Sequence, residues 1–237
     1  MARQLSTKQW QRRIDPGRCG LIGHSEGGMI AQMLAADNEQ LAFIVLLAAP
    51  GIPISELMLK QAKLIARAQG ASKNEIEISL ASNKAVFDIL QQEQNPDSAR
   101  MKVNHEMEKL ALSLAGNDPD RKEMLQKQLQ SGLDAVFTPW FLFFINYNPA
   151  DYLSRVHCPV LALNGEKDIQ VEAVSNIGGI TEIMQQSGNE QLDTHILPGL
   201  NHLFQAAETG APREYAEIEE TFSPRALAII ADWINGL

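Results

Sequence analysis

The chain has 237 residues, of which 45% are hydrophobic and 21% are charged, as in an ordinary globular protein of one large domain or two small ones. The formal net charge of −9 argues against a nucleic-acid partner, because phosphate binding requires clustered Lys and Arg. The longest apolar runs, such as LAFIVLLAA at 41–49, are too short to span a membrane. We therefore expect a soluble protein, cytoplasmic if Met1 is the natural start.

The first fifty residues predict a strand, a helix and a second strand. RCGLIG at 18–23 is typical of a buried strand, and LAFIVLLAA at 41–49 of another. Between them, four apolar residues fall on one face of a predicted helix: Met29, Ile30, Met33 and Leu34. This order favours a parallel sheet and an α/β fold class.

The pattern changes after this unit and later returns. Residues 51–149 carry apolar residues at helical spacing and predict a helical insertion, a lid, within a core of 1–50 and 150–237. The core pattern then resumes with predicted strands at 159–165 and 194–199, a helix at 171–187 and a last helix that begins at Ser223 and Pro224. The sheet is therefore expected to be predominantly parallel.

The stretch GLIGHSEGGMIA at 20–31 predicts an exposed serine at a strand-to-helix corner. Such a tight turn needs small residues two positions before and after the serine, and Gly23 and Gly27 occupy those positions around Ser25. The helix that follows directs its N-terminal N–H groups at the serine, so we expect the backbone N–H of Glu26 to bind an oxyanion.

A serine nucleophile requires a base, and the base requires a carboxylate to orient it. Asp168 follows the predicted strand PVLALNG, and His202 follows the predicted strand THILPG. Loops at the carboxyl ends of parallel strands converge, so we expect Ser25, Asp168 and His202 to meet. Glu166 and Glu172 are alternative acids beside Asp168.

These segments together resemble the α/β-hydrolase superfamily, most closely its serine esterase and dienelactone-hydrolase-like branch. The resemblance rests on GHSEGG, CPVLALNGEKD and LPGLNHLF and covers the chain from about residue 15 to its end. It implies that Ser25 is the nucleophile, Asp168 the orienting acid and His202 the general base. It also implies hydrolysis of a small-molecule ester through an acyl-enzyme, with a serine peptidase or a non-catalytic module of the same fold as alternatives.

The remaining histidines and aromatic residues allow weaker inferences. His24 adjoins the nucleophile and is expected to be a structural or pocket residue, whereas His105, His157 and His195 receive no role. The aromatic-rich stretch at 137–150 predicts either a substrate pocket or packing of the lid, with these pocket candidates: Trp140, Phe141 and Phe144. Cys19 and Cys158 are expected to be free thiols, and the sequence implies no metal or cofactor.

Ser25 comes early for this superfamily, in which several strands and a loop with the second oxyanion donor precede the nucleophile. The resemblance therefore implies an N-terminally incomplete sheet and an exposed edge at the RCGLIG strand. We expect association through that edge, for example as a homodimer, and a serine that is acylated but turns over slowly.

Overall fold

The computed structural model describes residues 15–131 and 133–237, and this part of the chain confirms the α/β fold class. It contains a parallel sheet and a helical insertion that separates the second and third strands in the chain. Two compact units are present. Among the described residues, one unit is made of 15–52 together with Asn148–Leu237, and the other is Pro53–Tyr147.

The sheet has four strands, all parallel, in the order β1-β2-β3-β4. The strands are β1 (Leu21–His24), β2 (Ile44–Leu47), β3 (Val160–Gly165) and β4 (Leu192–Leu197). Their register aligns the carboxyl ends of all four strands. The segments that begin at Ser25, Glu166 and Pro198 therefore start at the same edge of the sheet, where parallel α/β proteins bind ligands.

The helices of the insertion follow one another closely. After α1 (Glu26–Ala36) in the sheet unit, the insertion contains these helices: α2 (Ile54–Ala68), α3 (Lys73–Gln92), α4 (Pro96–Ala115), α5 (Pro119–Ser131), α6 (Leu133–Val136) and α7 (Pro139–Ile145). Three of them begin at side-chain caps, with Ser72, Asn95 and Thr138 each accepting a backbone N–H. Helix boundaries here follow local cap chemistry.

The sheet unit continues with α8 (Ala150–Leu153), α9 (Ala173–Ser187) and α10 (Pro224–Asn235). Every residue of β2 and β3 is buried, as expected for central strands covered on both faces. Cys19 and Cys158 are free, and the strands that they precede, β1 and β3, are separated by β2. Within residues 15–131 and 133–237, no helix has the length and apolar character needed to cross a membrane.

The apolar face predicted for α1 is partly wrong. Met29 is buried, but Ile30 is 46% exposed and Leu34 is 51% exposed. The buried positions of this helix also include small residues, Gly28, Ala31 and Ala35. Small side chains let the helix lie close to the sheet. The face with Gly28, Ala31 and Ala35 is therefore buried, although its side chains are less hydrophobic than Ile30 and Leu34.

The edge predicted to be exposed belongs to β1, which pairs with β2 and with no other strand in the described part of the chain. Ile22 on this strand is 57% exposed. Association through this edge stays a prediction.

Candidate active site

Ser25 lies at the corner between β1 and α1 in a strained backbone conformation. Its φ of 55° and ψ of −117° are unusual for a residue with a side chain. Its N–H donates to the Leu47 carbonyl at 2.8 Å, which continues the sheet, and its carbonyl accepts from the Gly28 N–H at 2.9 Å, which starts the helix. Such strain, about 1–3 kcal/mol, persists only where the surroundings enforce it, as at many nucleophilic serines.

The glycines beside Ser25 do not all have the role predicted for them. A Cβ atom at Gly23 would lie 2.1 Å from the carbonyl oxygen of Gly27, so this position requires glycine. A Cβ atom at Gly27 would meet nothing within 4 Å, so the prediction that Gly27 relieves a clash is wrong. The second tight position is Gly28, where a Cβ atom would lie 2.4 Å from the Cβ of Ala49.

Glu26 is the first residue of α1, an 11-residue helix whose N-terminus follows the serine. The positive end of the helix dipole therefore lies beside Ser25. Assignment of the Glu26 N–H to an oxyanion stays a prediction.

Asp168 is held in the loop after β3 by donors on both carboxylate oxygens. Its Oδ1 accepts the backbone N–H groups of Gln170 and Val171, each at 2.8 Å. Its Oδ2 lies 2.8 Å from Nδ1 of His202 and 3.4 Å from Nδ2 of Asn164. The Asp168 side chain is fully buried, so its orientation is fixed by this network.

The two alternative acids have other partners in the structure. Glu166 accepts the N–H of Gly199 at 2.9 Å. Glu172 caps the N-terminus of α9 by accepting the N–H groups of Val174 and Ser175. These bonds give both glutamates structural roles, while Asp168 is the carboxylate that contacts His202.

His202 lies in a loop that a buried asparagine organises. Asn201 Oδ1 accepts the N–H groups of Leu203 and Gln205, each at 2.9 Å, and its Nδ2 donates to Gln205 Oε1 at 2.9 Å. Because the Asp168 carboxylate accepts at His202 Nδ1, that nitrogen carries a proton, and in the neutral form of the ring the lone pair is then on Nε2. His202 is thus in the tautomer that a general base requires.

The hydrogen bond expected between Ser25 and His202 is not formed in this structure. Among the described residues, no hydrogen bond joins the Ser25 hydroxyl to His202, although His24, directly before the serine, contacts His202. Bonds of this kind often tighten only when substrate binds. The structure therefore brings Asp168 and His202 together and leaves the serine contact as a prediction.

His24 is half-buried and contacts the main chain of His202. Its Nε2 lies 2.8 Å from the carbonyl oxygen of His202, and the two ring centroids are 4.8 Å apart. Burial lowers the pKa of His24, which keeps this ring neutral at neutral pH. Of the histidines without a predicted role, His195 pairs with Asp193 on β4, and His105 and His157 are exposed.

The aromatic pocket candidates lie on α7 in the insertion. The rings of Trp140 and Phe144 stack at a centroid distance of 4.9 Å, and Phe141 contacts both rings. Nearby in the same unit, Phe137 and Arg100 line a cavity of about 620 Å³. A role of Trp140, Phe141 and Phe144 in binding substrate stays a prediction.

Sequence patterns did not identify Asn164 or Asn201 as parts of the site. Each is a buried amide beside a candidate residue, and both sit in motifs, NGEKD and LNHLF, that were assigned for their Asp and His. For Asn164 the available signal is a polar residue near the end of an otherwise apolar strand, since a buried amide must find partners; Asn201 lies in the loop after β4 and has no such signal. Across residues 15–131 and 133–237, no three His, Cys, Asp or Glu side chains cluster as metal ligands.

No protein-family model and no curated protein matches this sequence. Among solved structures, the chain is similar to Est816, described as an N-acyl homoserine lactone degrading enzyme, with 18% identity, a TM-score of 0.40 and coverage of 89% of this chain and 68% of that one. It is also similar to the esterase RhEst1 from Rhodococcus sp. ECU1013, with 18% identity, a TM-score of 0.40 and coverage of 92% and 65%. A proline iminopeptidase from Mycobacterium smegmatis gives 16% identity, a TM-score of 0.42 and coverage of 91% and 64%. The chain thus spans about two thirds of the length of these structures, and the chemistry of its site rests on its own residues.

Proposed function

We propose that this chain is a serine hydrolase of carboxylic esters, of the esterase or dienelactone-hydrolase-like branch of the α/β-hydrolase superfamily. The observation that carries the proposal is the buried pair of Asp168 and His202, in which Nδ1 of the ring lies 2.8 Å from the carboxylate and is thereby oriented by it. The strained serine at the end of β1 supplies the partner that such a pair activates.

The reaction proceeds in two halves. In the first, His202 Nε2 takes the proton of Ser25 as Oγ attacks the ester carbonyl, and the same proton then passes to the departing alkoxide, which leaves as the alcohol. In the second, His202 takes a proton from water, whose oxygen attacks the acyl-enzyme and releases the acid. The proton returns to Ser25. Asp168 stays ionised and stabilises the imidazolium in both halves.

In this scheme we assign the backbone N–H of Glu26, at the first position of α1, as an oxyanion donor. Loss of one such donor typically costs about 10²- to 10³-fold in turnover, so the number of donors strongly affects rate. Esters need less stabilisation than amides, because an ester carbonyl is less resonance-stabilised than an amide carbonyl and an alkoxide leaves more easily than an amide anion. Ester hydrolysis is therefore the reaction that this site supports best.

The test compares labelling of the serine with turnover. Fluorophosphonate requires only an activated nucleophile, so we expect it to label the wild type and to leave Ser25→Ala unlabelled. Steady-state hydrolysis of p-nitrophenyl esters of several chain lengths and of aminoacyl amides then measures whether the protein prefers esters or amides, and which acyl chain length it prefers.

Labelling with ester hydrolysis above the Ser25→Ala blank supports the proposal, even where turnover is slow. Faster cleavage of the amides would replace the esterase by a peptidase. Absence of both labelling and turnover would favour a non-catalytic module that keeps the fold.

A further inference from the structure

A side chain one residue before the nucleophile contacts the main chain of the base. His24 is the last residue of β1, and its Nε2 lies 2.8 Å from the carbonyl oxygen of His202. A carbonyl only accepts, so Nε2 carries a proton and donates it into this bond. The His24 ring also lies edge-on to Phe204 at a centroid distance of 6.2 Å.

We propose that His24 is a positioning residue, which holds the backbone of His202 at a fixed distance from the strand that carries Ser25. This inference rests on the proposed function and adds to it the means by which nucleophile and base are kept in register. In this proposal His24 does not line the substrate pocket, as the sequence suggested, but positions the backbone of His202.

Among the described residues, the other hydrogen bonds around His202 do not connect its loop to β1. Asn201 bonds to Leu203 and Gln205 within its own loop, so it shapes the loop and leaves its position relative to β1 open. Asp168 holds the imidazole from the loop after β3. The bond from His24 begins at the residue next to Ser25, so its length enters directly into the separation of the reacting groups.

The separation of these groups has a large effect on rate. A displacement of about 1 Å in a catalytic group costs on the order of 10²-fold, because the reacting atoms leave the near-attack geometry. Ser25 is locked by its bonds to Leu47 and Gly28. A loop that moves on its own would therefore change the distance from Oγ to the His202 ring.

Neutrality of His24 supports the same role. Burial is the largest cause that lowers its pKa, and the nearby His202 ring lowers it further, whereas the bond to the His202 carbonyl and the charge of Asp168 raise it. A neutral His24 leaves the positive charge of the intermediate on His202, where Asp168 stabilises it.

The experiment uses two substitutions at this position. His24→Gln keeps a donor at nearly the same distance from the backbone, while His24→Phe keeps the ring and removes the donor. His157→Phe, at an exposed site, is the matched control. We expect His24→Phe to lower the fluorophosphonate labelling rate and kcat for a p-nitrophenyl ester by about 10- to 100-fold with KM within about threefold. His24→Gln should stay within about fivefold of the wild type.

Three results would overturn the inference: an unchanged labelling rate in His24→Phe, a loss that lies in KM, or an equal loss in His24→Gln. Histidine ¹⁵N NMR tests the contact without catalysis. We expect a protonated Nε2 on His24 and a shift of the His202 Nδ1 proton signal in His24→Phe that His24→Gln does not show. A wild type that is never labelled refutes the proposed function, and the NMR result then decides this inference alone.

Discussion

Substitution of Gly23 by Ala tests whether the corner around Ser25 depends on backbone contact between β1 and α1. A Cβ atom at this position would lie 2.1 Å from the Gly27 oxygen, 2.4 Å from the Gly27 carbonyl carbon and 2.7 Å from the Gly28 nitrogen. All three are backbone atoms of the first turn of α1, so no side chain can rotate away. The helix start must move by about an ångström before these contacts become ordinary van der Waals contacts.

Overpacking of this kind costs about 1–3 kcal/mol of unfolding free energy. For a chain of this size each kcal/mol lowers Tm by roughly 2–4 °C, so we expect Gly23→Ala to lower Tm by about 2–12 °C. The displaced helix start also carries Glu26, next to the serine. We therefore expect the fluorophosphonate labelling rate to fall by about 10²-fold.

Gly27→Ala is the matched control, because its Cβ atom would meet nothing within 4 Å. In the first turn of α1, alanine is favoured over glycine by roughly 0.5–1 kcal/mol, so we expect an unchanged or higher Tm. Differential scanning calorimetry measures both variants. Equal Tm values and equal labelling rates for Gly23→Ala and Gly27→Ala would refute the reasoning.

Three further predictions concern the loops after β3 and β4. Asp168→Asn should keep the fold and lower kcat by about 10⁴-fold in ester hydrolysis, because the amide no longer fixes the tautomer of its histidine partner. Asn164→Leu should lower the unfolding free energy by about 1–3 kcal/mol in urea titration, since the amide that donates to the buried Val171 carbonyl at 2.8 Å is lost; an unchanged urea midpoint would contradict this. The hydrogen bond from Thr209 lowers the pKa of Glu214 below its ordinary 4.5, so the stability that this contact gives its loop is present above pH 4.5 and is lost as pH falls through the lowered pKa. The protection factor of the Thr209 amide, which is its hydrogen exchange relative to the intrinsic rate at each pH, should fall over that range, and Glu214→Gln should remove this change in protection.

The sequence predicted the order of elements and the edge of the sheet that carries the site. Buried parallel strands have a strong signal, continuous apolar runs, and β3 (Val160–Gly165) confirms the strand expected at 159–165 within a residue. Strand ends were less accurate, since the run at 41–49 yields only Ile44–Leu47. An apolar run indicates which residues are buried. The strand itself extends only as far as its backbone pairs with a neighbouring strand, so it can be shorter than the run.

Helix α1 illustrates why periodicity did not predict the packed face. Hydrophobicity favoured a face that includes Ile30 and Leu34, but close approach to the sheet selects small residues such as Gly28 and Ala31. The choice depends on the distance between helix and sheet, a tertiary quantity that the local pattern does not contain.

Contacts within the site show the same limit. Asp168 and His202 were predicted because each follows a strand of the same sheet. The bonds that orient them come from Asn164, Asn201 and His24, and each of these is formed only once the loops have folded. A sequence pattern identifies residue types at strand ends, whereas hydrogen-bond partners depend on loop geometry.

Asp168 and His202 are joined in the structure, while Ser25, the proposed nucleophile, has a constrained backbone and no hydrogen bond to His202. Asp168 and His202 are buried and joined, so the cost of desolvating and orienting them is met by folding. Ser25 is kept in a strained conformation by β1 and α1, and the fold supplies that energy too. In the proposed mechanism, the contact that is left to form when substrate binds is the one between the serine hydroxyl and His202 Nε2. If the proposed roles are right, substitutions at Gly23 and His24 should affect the rate of acylation more than the affinity for substrate, because both residues then act on the distance between Ser25 and His202.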